Sequence, residues 1–184
     1  MTLLMLFFLV NAPKCEMAQT APIECVRWYY LQSAEQETAI VHGLAFLDQH
    51  AKQLPPELVK AYRAALMVMK ARYAFWPQAK MNYLQQGLPV LDQLVDQDPK
   101  HTEIRILRLL SIYYLPFFLG RKTMARQDMQ MLTTQLLLGE AVLPAAYQRM
   151  MVEFLLANAP LEPAQRAQLQ SLYAQLRHST LTLP

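Results

Sequence analysis

Apolar residues recur along this chain at helical spacing almost from end to end, and prolines and glycines cut the recurrence into segments. The clearest segment starts at Glu57. Leu58, Tyr62, Leu66, Met69, Tyr73 and Trp76 follow one another at steps of three or four, which sets them on one face of a helix. That face is expected to be core, with Lys60, Arg63 and Lys70 on the opposite, solvated side. Pro55-Pro56 precedes the segment and Phe75-Trp76-Pro77 closes it, because proline has no amide hydrogen to donate within a helix.

The same reading carries through the chain. Residues 23–33 (IECVRWYYLQS) predict a helix containing Trp28, Tyr29 and Tyr30, and residues 35–54 a longer one with Ala39, Leu44, Leu47 and Ala51 along one side. Residues 78–96 set Leu84, Leu88, Leu91 and Val95 in a stripe, with Gly87 and Pro89 expected to weaken or bend the middle. Beyond Gly120, residues 123–138 bring Met124, Met131, Leu132 and Leu136 together, and Gly139 ends that helix. Residues 144–158 supply another through Tyr147, Met151, Phe154 and Leu155. Residues 164–177 form a final, more polar one, followed by His178 and a tail expected to fray.

The chain is organised around residues 97–121. Asp98-Pro99 ends one helix, and Thr102 is expected to cap the next through its hydroxyl, with Glu103 beside the positive end of the dipole. From Ile104 to Leu115 apolar side chains surround nearly the whole circumference, the pattern of a buried central helix. Arg105 and Arg108 interrupt it on one face. A guanidinium cannot shed its charge, so each must reach water or meet carboxylates or carbonyls. Tyr113, Tyr114, Phe117 and Phe118 are read as core, and Gly120 as a left-handed cap.

No strand pattern, hairpin turn or low-complexity linker is present. About eight helices joined by short connections predict an all-α fold of antiparallel hairpins, which stacked in a row make a solenoid. Composition agrees: 54% of the 184 residues are apolar and 17% charged, with four glycines. The net charge of +3 is small and scattered, which gives no footprint for nucleic acid.

Residues 3–10 form a hydrophobic segment too short to span a membrane and of a length suited to a secretory signal, although no Lys or Arg precedes it. Residues 1–21 are therefore read as a signal peptide, with cleavage after Ala18 or Ala21, and residues 22–184 as one exported domain of the cell envelope without a membrane span. A cytoplasmic chain, or one attached to a membrane by an uncleaved segment, are the alternatives. Cleavage after Ala18 would leave Cys25 as the one cysteine, packed as a small hydrophobe.

Residues 91–120, LDQLVDQDPKHTEIRILRLLSIYYLPFFLG, resemble a tetratricopeptide repeat boundary: the second helix of one unit, an Asp-Pro turn, the first helix of the next and a closing Leu-Gly. The likeness is degenerate, without a strict 34-residue interval. Residues 58–128 also resemble a family of small exported bacterial proteins of unknown function, through Lys70-Ala71, Pro77 with Lys80, Gly87, Asp98-Pro99, Glu103-Ile104-Arg105, Leu107-Arg108 and Pro116 to Gly120. Trp76 and Arg121 depart from that pattern. The resemblance implies a tetratricopeptide-like fold and no catalytic residues.

No phosphate-binding glycine loop, metal-ligating or nucleophile motif occurs in the sequence. No cofactor, metal or catalytic residue is assigned. One polar constellation stands out, Lys70, Lys80, Glu103, Arg105 and Arg108, with Trp76 beside it. As a salt-bridge network it would fix the packing of three successive helices. As a binding site its arginines would hold a carboxylate or phosphate through their forked donors. Two functions follow. The first is a non-enzymatic interaction protein that holds a peptide or protein partner in an apolar groove near Tyr73, Trp76 and Tyr113. The second is a small-anion or enzymatic site at Lys80, Glu103, Arg105 and Arg108, which requires those side chains to converge in a closed pocket.

Overall fold

The computed structural model of the chain describes Cys15 and residues 21–177. The hydrophobic segment 3–10, Ala18, His178 and the tail lie outside the described residues. Eight α-helices follow in order: α1 Pro22–Gln32, α2 Glu37–His50, α3 Pro56–Tyr73, α4 Pro77–Gln97, α5 Thr102–Tyr113, α6 Lys122–Leu137, α7 Ala145–Asn158 and α8 Pro163–Leu176. Short 3-10 turns follow α2 and α5, and no strand occurs among the described residues. The fold is all-α, as the spacing predicts.

Proline sets many of the boundaries. Pro22, Pro56, Pro77 and Pro163 open their helices, where a missing amide costs nothing and the fixed φ suits the first turn. A capping box between Glu162 and Gln165 adds to the start of α8. Gly139 at φ 71 ends α6, its amide donating to the Leu136 carbonyl and that of Glu140 to Gln135. Gly120 is left-handed too, as expected. At α5 the cap differs from the expectation. His101 occupies the cap position and its Nδ1 accepts from the Ile104 amide, while Thr102 is already helical and buried.

Each helix packs against its neighbours in sequence. The next-but-one pairs α1/α3, α3/α5 and α6/α8 also touch. The most extensive contact is α3 on α4, and Gly87 is its reason: a β-carbon there would lie 2.4 Å from the Ala64 carbonyl oxygen and 2.6 Å from Val68 Cγ2. Gly87 thus brings two backbones together instead of weakening the helix. Pro89 lies on the exposed side of α4, which runs unbroken because Leu84, Leu88, Leu91 and Val95 all bury on the other side. α5 is central, with every residue from Thr102 to Leu109 buried.

Three stripes are corrected. Trp76 is exposed, because α3 ends at Tyr73 and the helical phase stops before reaching it. In α6 Met131 faces out and Ala125, Asp128, Met129, Leu132 and Leu136 face in. In α2 the buried side is Ala39, Ile40, Gly43, Phe46 and Leu47. Cys25 is not a lone thiol: it is disulfide-bonded to Cys15, with α-carbons 5.5 Å apart, inside the range such a bridge requires. None of the described helices is long and apolar enough to cross a membrane.

Candidate functional site

The arginines and the carboxylate of α5 are buried, and each has partners on other helices. On one side Glu103 accepts a forked pair of bonds from Arg27 of α1, Nε to Oε1 and Nη2 to Oε2, both at 2.7 Å. Tyr62 of α3 donates its hydroxyl to the same Oε1 at 2.6 Å, Glu24 takes the third guanidinium nitrogen, and the ring of Tyr147 from α7 lies 5.2 Å from the Arg27 guanidinium carbon. Four helices meet at this ion pair. Burial opposes the Arg27 charge, but the bonds to Glu103 outweigh it and hold the guanidinium still further above its ordinary pKa. Burial first, and the Glu103 carboxylate second, keep the Tyr62 phenol well above its usual range. Burial raises Tyr147 as well, and pushes Tyr30 up to about 12.

The second network joins α5 to α6 and α4. Asp128, fully buried, accepts from Arg105 Nη1 at 2.6 Å and from Arg108 Nη2 and Nε at 2.6 and 2.9 Å. Arg105 also donates to the Pro99 carbonyl. Asp92 of α4 sits 3.7 Å from Arg108 Nη1 and accepts from Arg121 at 2.6 Å. Both arginines therefore share one carboxylate, and charge-assisted bonds of this kind are about twice as strong as neutral ones.

Of the residues the sequence singles out, Arg105 and Arg108 come together, and Glu103 stands in the other network. Lys70 and Lys80 join neither. Lys70 lies 5.8 Å over the ring of Tyr83, and Lys80 is exposed in the first turns of α4. Their partners Arg27, Asp92, Asp128 and Tyr62 lie on other helices, and no local spacing in the sequence connects them to α5. Beside Glu103 there is a void of about 10 Å³, bounded by Tyr30, Tyr62, Leu143 and Tyr147, which has room for no ligand. Among the described residues no group of three or more His, Cys, Asp or Glu side chains could hold a metal ion.

A different surface is prominent. The Tyr73 hydroxyl donates to the Ser33 carbonyl and that of Tyr113 to Asn158 Oδ1. These bonds, with the alternating helix directions, gather the connections 33–36, 74–76, 114–121 and 159–162 at one end of the molecule. There Phe75, Trp76, Tyr114, Phe117 and Phe118 are 67–84% exposed. Tyr114, Phe117 and Phe118 are thus corrected from core to surface. They follow the end of α5, and the chain must turn away at Pro116 before α6 can begin.

At 1.5 Å per residue α4 is about 13 Å longer than α5, so its first turns overhang the 114–121 connection. The step between them is a groove of about 160 Å³, lined by Met81, Leu84, Leu88, Pro89, Leu119 and the polar Gln85 and Arg121. Tyr73, Trp76 and Tyr113, around which an apolar groove was expected, do not line this one. Tyr73 and Tyr113 are half-buried and hydrogen-bonded, and Trp76 is exposed.

Fold and surface together define an all-helical protein with paired charges inside and an aromatic end outside. No family model matches the chain, and no curated protein or solved structure matches it.

Proposed function

We propose that this chain is a non-enzymatic interaction protein of the bacterial envelope, which docks through its aromatic end. The observation that carries the reading is the contrast in the use of side chains. Arg27, Glu103, Arg105, Arg108 and Asp128 are consumed by one another, while five large aromatics on two connections at the same end face solvent. Scattered exposed apolar residues are normal; a cluster of this kind marks an interaction surface. Reading the site as an anion-binding or enzymatic centre has less support, since Lys80 stands apart and the void beside Glu103 measures only about 10 Å³.

The packing of α1 on α3 and α3 on α5 supports a tetratricopeptide-like stack of three hairpins. The face where such a stack would hold a peptide meets Leu143, Tyr147 and Met150, from α7 and the connection before it. This occupied face favours the aromatic end as the docking surface.

Export is supported by the Cys15–Cys25 disulfide, a bond that persists in oxidising compartments. A cut after Ala18 would leave the released peptide tied to α1 through that bond. The mature chain in this reading keeps Cys15.

The test is cell fractionation of the full chain beside Trp76→Ala/Phe117→Ser/Phe118→Ser, with the melting temperature of each. The reading expects the wild type in the envelope fraction and the variant released, with equal melting temperatures. Equal fractionation of the two contradicts it.

A further inference from the structure

The occupant of the aromatic end can be read from the charge that surrounds it, granted that this end is the docking surface. None of the 14 acidic residues lies in residues 70–91 or 111–127, the two stretches that carry every aromatic of the cluster. The same stretches carry Lys70, Arg72, Lys80, Arg121, Lys122 and Arg126. Arg121 is tied to Asp92, but none of the ion pairs among the described residues involves the other five. Lys122 instead lies 6.0 Å over the ring of Phe117. The acids at this end are Glu35 and Glu37 at the first connection, Glu162 at the last and Asp92 held by Arg121, so the positive charge free of ion pairs coincides with the aromatic residues and not with the end as a whole.

We infer that this end is a peripheral membrane-binding surface selective for a bilayer containing anionic lipid. Trp and Tyr rings settle at the level of the headgroups, and Phe and Met side chains reach the acyl boundary. Lys and Arg beside them gain from the negative surface potential. The aromatics stand on connections between helices, Phe75 beside Trp76 and Phe117 beside Phe118, and project into solvent. That suits insertion into a deformable medium better than the close-packed, pocketed contacts of a protein interface.

The two tryptophans make the test direct, because Trp28 is buried and Trp76 exposed. Full-length chain is mixed with vesicles of phosphatidylcholine alone and of phosphatidylcholine with equal phosphatidylglycerol, and the tryptophan emission and co-sedimentation are read. The inference expects a blue shift and sedimentation with the anionic vesicles only, weakened by salt. Trp76→Phe should abolish the shift and keep the sedimentation. Trp76→Ala/Phe117→Ser/Phe118→Ser should lower the partition coefficient about tenfold or more, and Lys80→Gln/Lys122→Gln about tenfold.

Equal binding to both vesicle types overturns the inference. So does undiminished binding of the aromatic variant, which would assign attachment to residues 3–10. If vesicles are ignored while self-association in sedimentation equilibrium disappears in the variant, the occupant is a second copy. If vesicles are ignored and release from the envelope fraction still depends on the aromatics, the lipid inference fails and the interaction reading stands with a protein partner.

Discussion

Arg27, Glu103, Arg105, Arg108 and Asp128 are shut away in the middle of the molecule, whereas Phe75, Trp76, Tyr114, Phe117 and Phe118 stand in water at one end. Charged residues are almost never fully buried unless paired, and large aromatics supply much of the energy of cores. Each region thus uses the side chains the other would be expected to hold. The difference separates two kinds of selection. The interior charges have partners on other helices at bonding distance, which is the mark of a structural role. The aromatics touch neighbouring rings, Phe75 with Trp76 and Phe117 with Phe118, and Phe117 a lysine on its own side of the chain, Lys122.

Breaking the interior should therefore be expensive. Asp128→Ala is expected to have the largest effect, about 3–5 kcal/mol, because it leaves the buried Arg105 without a countercharge and Arg108 with only Asp92, 3.7 Å away; urea unfolding reads it. Gly87→Ala comes next, at about 1–3 kcal/mol. Its β-carbon meets a backbone oxygen, so α3 and α4 must separate, and a smaller loss would show that this crossing is slack.

High pH probes the same interior. The unfolded Tyr30 phenol releases its proton near 10.0 and the folded one near 12, so the folded chain holds more protons between these values. Stability is full below pH 10 and falls above it, by about 1.4 kcal/mol per pH unit for each such phenol. Tyr30→Phe should make that decline shallower by one proton, read from urea midpoints at pH 9, 10 and 11. At the aromatic end the smallest effect is expected. Trp76→Ala/Phe117→Ser/Phe118→Ser should leave stability within about 0.5 kcal/mol, as for surface changes elsewhere. A clear loss would mean that these rings support the fold, and would erase the distinction between the regions.

The helices were legible because proline marks their starts and the stripes repeat at helical spacing. α5 was legible as the central helix for the same reason, since its apolar circumference leaves no solvent face. Arg105 and Arg108 could be paired by their three-residue spacing. Their counterions could not, because Asp128 lies 20 or more residues away on another helix, and Arg27 is 76 residues from Glu103. One signal was present for Arg27, its position within the apolar run CVRWYYL. Trp76 and Phe117 were read as core from residue type and spacing alone. Their neighbours Pro77 and Pro116 stop the helices there, and a stripe loses its meaning where its helix has ended.

The central claim is that buried ion pairs hold distant parts of the chain together, and the Arg27–Glu103 pair tests it most directly. The measurement is a double-mutant cycle of Arg27→Met and Glu103→Gln by urea unfolding. A coupling of about 2 kcal/mol or more is predicted from the forked bonds between them. Additive losses, with no coupling, would contradict the account.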